Sequence, residues 1–137
     1  MKYARYALIA LLAVSFGVAA TPMEGLAAAK WEKSKVNYIA QLAHDNPGVK
    51  ASAAGFIRKY NIVEAADALK EVLKCDNCEA VKFSAALALV SVAGEDGMAF
   101  IKEAVQTEQN ELVVDFYQII LQSDVHLYSA PVTTAEE

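Results

Sequence analysis

Between Trp31 and Gln122 apolar residues recur at helical spacing, in runs separated by short polar breaks. The first run, Trp31 to Ala43, sets Val36, Tyr38, Ile39, Leu42 and Ala43 close to one stripe, with Trp31 expected to cover the edge of a core. Asp45-Asn46-Pro47-Gly48 interrupts it. Asn46 can cap the next helix through its side-chain oxygen, and Pro47 suits the first helical position, where its missing N–H is not needed. In the second run, to Tyr60, Val49, Ala53, Phe56, Ile57 and Tyr60 form one continuous face. Asn61 is a suitable left-handed stop. A third stripe follows at once over Ile62 to Lys74, with Ile62, Ala66, Leu69, Val72 and Leu73 inward, and so short a break predicts an antiparallel pair.

The fourth run, Glu79 to Val92, carries apolar groups on nearly every side, from Val81 and Phe83 through Leu87, Leu89 and Val92. A helix apolar all round is one buried between neighbours, so this segment is expected at the centre of the core. Gly94 is expected to close it and Asp96 to cap a fifth helix, Gly97 to Gln106. After the polar turn Thr107-Glu108-Gln109-Asn110, a sixth helix is predicted over Glu111 to Gln122, with Val113, Phe116, Tyr117, Ile120 and Leu121 as its main stripe. No strand-type alternation competes. The predicted fold class is all-α, with about six helices.

The runs repeat. Val49-Lys50-Ala51-Ser52-Ala53-Ala54 returns 32 residues later as Val81-Lys82-Phe83-Ser84-Ala85-Ala86. Ala68-Leu69-Lys70-Glu71-Val72-Leu73 matches Phe100-Ile101-Lys102-Glu103-Ala104-Val105 at the same spacing, and a second shift sets Val81 against Val113 and Leu89 against Leu121. Tyr38 and Leu42 match Leu69 and Leu73 at 31, because the turn at Asp45 is shorter than the one at Asp76. Two helix pairs with a single helix at each end account for the pattern.

On these motifs the chain resembles the HEAT-repeat family, in particular its short bacterial variants, over roughly residues 36–122. There a first helix begins Val-Arg-x-x-Ala-Ala and a second carries an Ala-Leu-x-x-x-Leu-type stripe. Two departures stand out: Lys50 and Lys82 take the place of arginine, and the usual Gly-Asp-Pro before the second helix is reduced to Gly94-Glu95-Asp96 and Tyr60-Asn61-Ile62. The resemblance implies a short right-handed α-solenoid, in which Ala53, Ala54, Ala85 and Ala86 let helices of successive repeats approach closely. About three repeats are usually needed for a stable stack. Two repeats and two halves are near that limit, so dimerisation or a lasting protein partner is expected.

Composition refines this picture at the two ends. Lys2 and Arg5, an uncharged apolar run from Ala7 to Ala20, and the small residues Ala27-Ala28-Ala29 have the order of a secretory signal peptide. The run of 14 residues is shorter than the roughly 20 a spanning helix needs. Cleavage is expected after Ala29, with Ala27 and Ala20 as alternatives. The expected organisation is therefore a signal peptide over 1–29, a helical repeat domain over 30–123 and a disordered acidic tail over 124–137. The implied location is the periplasm or the exterior, without a stable membrane anchor after cleavage. Residues 30–59 carry a net charge of +4, residues 60–102 one of −3 and residues 103–137 one of −7. An acidic exported chain is a poor candidate for nucleic-acid binding, which rests on clustered Lys and Arg. A charge gradient along a stack can steer a partner or favour head-to-tail self-association.

One constellation has chemical potential, Cys75-Asp76-Asn77-Cys78. A C-x-x-C pair at a helix start can hold a reactive thiolate, but the βαβ setting of thioredoxin-like proteins is missing, Glu79 stands where haem attachment needs His, and zinc would lack two ligands. In an oxidising compartment a structural Cys75–Cys78 disulfide is expected, ahead of a redox-active pair or free or metal-bound thiols. His44 ends a helix, where an imidazole can meet the helix C-terminus, and His126 lies in the tail. Met98, Phe56, Phe83, Phe100 and Phe116 read as core; Tyr117 and Tyr128 read as exposed aromatic contact area. No nucleophile–base order, phosphate-binding loop or paired-carboxylate motif stands out. The expectation is a non-enzymatic scaffold without cofactor or metal that binds another protein. The alternatives are thiol–disulfide activity through Cys75 and Cys78, or a helical ligand carrier.

Overall fold

In the computed structural model the described residues are 22–123; residues 1–21 of the expected signal peptide fall outside them, and so does the tail with His126 and Tyr128. No strand occurs among the described residues, and the protein is all-α. The helices are α1 (Pro22–Gln41), α2 (Pro47–Lys59), α3 (Ala66–Cys75), α4 (Glu79–Thr107) and α5 (Glu111–Gln122), with a 3₁₀ turn at Val63–Ala65 before α3. The chain divides into two compact units, Met1–Glu32 and Lys33–Glu137. Of the first, the structure describes only the opening of α1, where Ala27, Ala28 and Ala29 are helical and Trp31 is exposed. Everything below concerns the second unit.

The turns follow local chemistry. Asn46 caps α2, its side-chain oxygen accepting from the N–H groups of Gly48 and Val49, with Pro47 in the first turn. Asn110 caps α5 in the same way through Leu112 and Val113. α2 ends at Asn61, whose φ of 49° is the left-handed value expected of it. Asn61 N–H donates to Arg58 C=O and Ile62 N–H to Ile57 C=O, and the buried Ile57 and Ile62 close this Schellman motif.

α4 is two helices in succession. Gly94 has φ 53° and ψ −122°, outside the helical region, so it closes the first as expected, and a second follows at once with Asp96 inside it instead of capping it. The two segments run over 79–93 and 95–107, joined by a sharp bend at Gly94. By length and composition alone α4 could span a membrane. Here the bend interrupts it, and α2, α3 and α5 all pack on it. Val81, Ala85, Ala86, Ala88, Leu89 and Val90 are buried, so the run read as central is central. Gly97 follows from the bend: a Cβ there would lie 2.7 Å from the Leu89 carbonyl oxygen, so only glycine lets the two segments come this close.

Leu42, Ile57, Ile62, Leu69, Leu73, Ile101 and Val113 complete the core with Tyr117. One aromatic expectation reverses. Phe56 is 40% exposed and stacks on Tyr38 and Tyr60 at 5.2 and 6.3 Å. Tyr117, read both in the inward stripe of its helix and as exposed contact area, is fully buried, as the stripe has it. It stands at the register of Ala53 and Ala85, in a helix whose apolar stripe turns it inward.

Candidate functional site

The two lysines of the repeated motif are the key to the turns. Lys50 Nζ donates to Asp76 Oδ2 at 2.6 Å, and Lys82 Nζ to Glu108 Oε2. Both pairs span 26 residues and lie 32 apart, so they are one contact made twice. Each carboxylate has a second task. Asp76 Oδ1 accepts the N–H of Cys78 at 2.8 Å, and Glu108 Oε1 accepts those of Gln109 and Asn110 at 3.0 Å. One acid thus ties the first turn of one helix of the motif to the turn that opens the next.

His44 occupies the same register one repeat earlier. Its Nδ1 accepts the N–H of Asn46 at 3.0 Å, so the imidazole serves the turn as an acceptor and not as a partner of the preceding helix terminus. Residues 44, 76 and 108 therefore each accept the amide two positions on. Periodicity of apolar residues does not reveal this series, because its members are His, Asp and Glu. The signal was the fixed distance of each from the cap that follows.

The electrostatics are those of paired, largely dehydrated groups. Burial resists ionisation of Asp76, but the Lys50 ammonium and the Cys78 amide outweigh it and hold the carboxyl below its ordinary value of 3.8. Glu108 is held below 4.5 in the same way, against burial, by Lys82 and by the amides of Asn110 and Gln109. Tyr117 moves in the opposite direction: burial first, and the nearby Glu108 charge second, push its phenol well above the ordinary value.

Each rung borders a groove. The first, about 410 Å³, is walled by Ile39, Leu42, Ala43, Ala68 and Val72, with Cys75 at its rim. The second, about 490 Å³, repeats several of these positions, but Phe100 replaces Ala68 and Thr107 replaces Cys75. Lys70 and Lys74 lie 6.0 and 5.9 Å from the Phe100 ring, so cations overlie the apolar group that the second groove could offer. The first groove remains mostly apolar.

The expected Cys75–Cys78 disulfide is not formed here: both residues are free cysteines. Cys75 ends α3 exposed, whereas Cys78 is half-buried against the core as the residue before α4. Extended backbone at Asp76 (ψ 140°) and Cys78 (ψ 117°) carries the second cysteine away from the first. Among the described residues no three His, Cys, Asp or Glu side chains are grouped to hold a metal ion. The chain matches no family model, no curated protein and no solved structure.

Proposed function

We propose that this chain is an exported, non-enzymatic scaffold of stacked, HEAT-like helix pairs, and that it binds another protein through the groove walled by Ile39, Leu42, Ala43, Ala68 and Val72. The observation that carries the reading is the recurrence of the Lys50–Asp76 contact as Lys82–Glu108 at a 32-residue offset, a regularity of tertiary contacts as well as of sequence. Stacked repeats build extended binding surfaces from equivalent inter-helix grooves. Of the two grooves, the first is the one that can receive apolar side chains. The acidic balance outside residues 30–59 argues against a nucleic-acid partner.

Photo-crosslinking in the producing cell tests this. A crosslinker at Ala43 or Glu71, in the groove, should capture one and the same protein, and a crosslinker at the exposed Glu95 should not. No adduct from the groove positions, or equal yield from Glu95, would remove the proposal.

Thiol–disulfide exchange by Cys75 and Cys78 is the second reading, favoured by the free, exposed Cys75 thiol. Equilibration in glutathione buffers should then give a potential well above about −300 mV, the range below which structural disulfides lie.

A further inference from the structure

The stack ends in half repeats that are complementary. Between successive first helices Phe83 pairs with Phe116, with ring centroids 4.5 Å apart. One period back from Phe116 along the rear face of the first helices lie Ser84 and Ser52, and the neighbouring positions on that face are Val49, Val81, Val113 and Phe56, Ala88, Ile120. Where a preceding first helix exists, this face is covered: Val81, Val113, Ala88 and Ile120 are all buried. On α2 it is open, with Phe56 40% exposed and Ser52 exposed.

The forward face behaves in mirror fashion. Ala54 and Ala86 are buried, yet Gln118 at the same register in α5 is exposed. Leu87 is half-buried and Phe83 is covered by Phe116, while their counterparts Ile119 (62% exposed) and Asp115 lie open; Gly55, at the register of Leu87 in α2, is exposed as well. Each end therefore exposes positions that are covered in the central copy of the motif, on α4. Charge selects how two such ends meet: residues 33–59 carry +4 and residues 103–123 carry −4, so like ends repel and unlike ends attract.

We propose that copies of this chain stack head to tail, α5 of one copy against α2 of the next, so that the 32-residue stacking continues across the junction. The proposal rests on the stacked-repeat reading above and names a second copy as a partner for the ends, leaving the groove at Ala43 and Glu71 outside the contact. Shifting the Phe83–Phe116 contact by one period sets Asp115 of one copy opposite Ser52 of the next, with Ile119 and Phe56 beside them. A contact of this heterologous kind does not close on itself and gives open chains instead of a fixed dimer.

Sedimentation of the full chain over a range of concentrations and ionic strengths tests it. The mass should rise past two chains with concentration and fall in high salt, as exposed charges are screened. Ser52→Glu, which sets an acid against Asp115, and Ile119→Asp should each abolish association with unchanged circular dichroism. Ser52→Lys should tighten it by about threefold, the scale of an exposed ion pair. The decisive sample is an equimolar mixture of the Ser52→Glu and Ile119→Asp chains. Each retains one intact end, so the mixture should form a one-to-one dimer and nothing larger. A chain that stays monomeric throughout, a Ser52→Lys chain that associates no better than Ser52→Glu, or a dimer formed by either blocked variant alone would overturn the proposal. Groove crosslinking reads different residues, so self-association can fail while the scaffold reading survives.

Discussion

At the scale of single residues, Gly97 and Gly55 have opposite consequences although both sit inside helices. A Cβ at Gly97 meets Leu89 backbone atoms, which cannot rotate out of the way, so Gly97→Ala should lower stability by about 1–3 kcal/mol, the usual cost of overpacking. At Gly55 an added Cβ finds nothing within 4 Å. Gly55→Ala should therefore raise stability by roughly 0.5–1 kcal/mol, because glycine gives up more chain entropy in a helix than alanine does. Urea unfolding of the two variants beside the parent protein measures both, and equal signs would contradict the account. Sequence inspection found neither effect. Gly55 lies inside the second run and Gly97 opens the fifth, and only the bend at Gly94 brings Gly97 against the Leu89 carbonyl.

At the scale of elements, the Lys–acid rungs hold the turns that carry one repeat into the next. The side chains of Lys82 and Glu108 are 11% and 10% exposed, so removing the cation leaves a nearly dehydrated carboxylate without its counter-charge. Lys82→Met should cost on the order of 3 kcal/mol. Adding Glu108→Gln should recover part of that, since the amide oxygen still accepts from the turn while the uncompensated charge is gone. Lys50→Met should cost less, because Lys50 is 23% exposed and water can partly replace it. A double-mutant cycle on thermal unfolding measures the coupling. The lysines were visible in the sequence as the fixed second residue of the motif. Their acids were not, because the partner lies 26 residues away in a turn whose geometry depends on the bound carboxylate.

For the whole molecule the same acids set a pH limit. Asp76 and Glu108 both have folded-state values below their ordinary 3.8 and 4.5. Each therefore contributes stability that is fully present above those ordinary values and is lost as pH falls through the folded ones. The midpoint of thermal unfolding should be nearly flat from pH 7 to about 5 and should then drop steeply below about pH 4. In Lys82→Met the Glu108 share of the drop should shrink, since without the cation its folded-state carboxyl no longer titrates as far below its ordinary value. An unchanged acid limb would show that Glu108 is not the group responsible.

Local spacing was enough to establish the helical class, the caps at Asn46 and Asn110, the left-handed Asn61 and the central position of the Glu79–Val92 run. These depend on neighbouring residues, and their chemistry is written in consecutive positions. Only the tertiary structure decided that the second helix after Gly94 starts without an Asp96 cap, that Phe56 is partly exposed beside Tyr38 and Tyr60, and that Cys75 and Cys78 are not at disulfide distance. It also decided that His44, Asp76 and Glu108 share one role. Each of those outcomes turns on which segments lie against one another, and a stripe of apolar residues specifies that a face is covered without specifying by what.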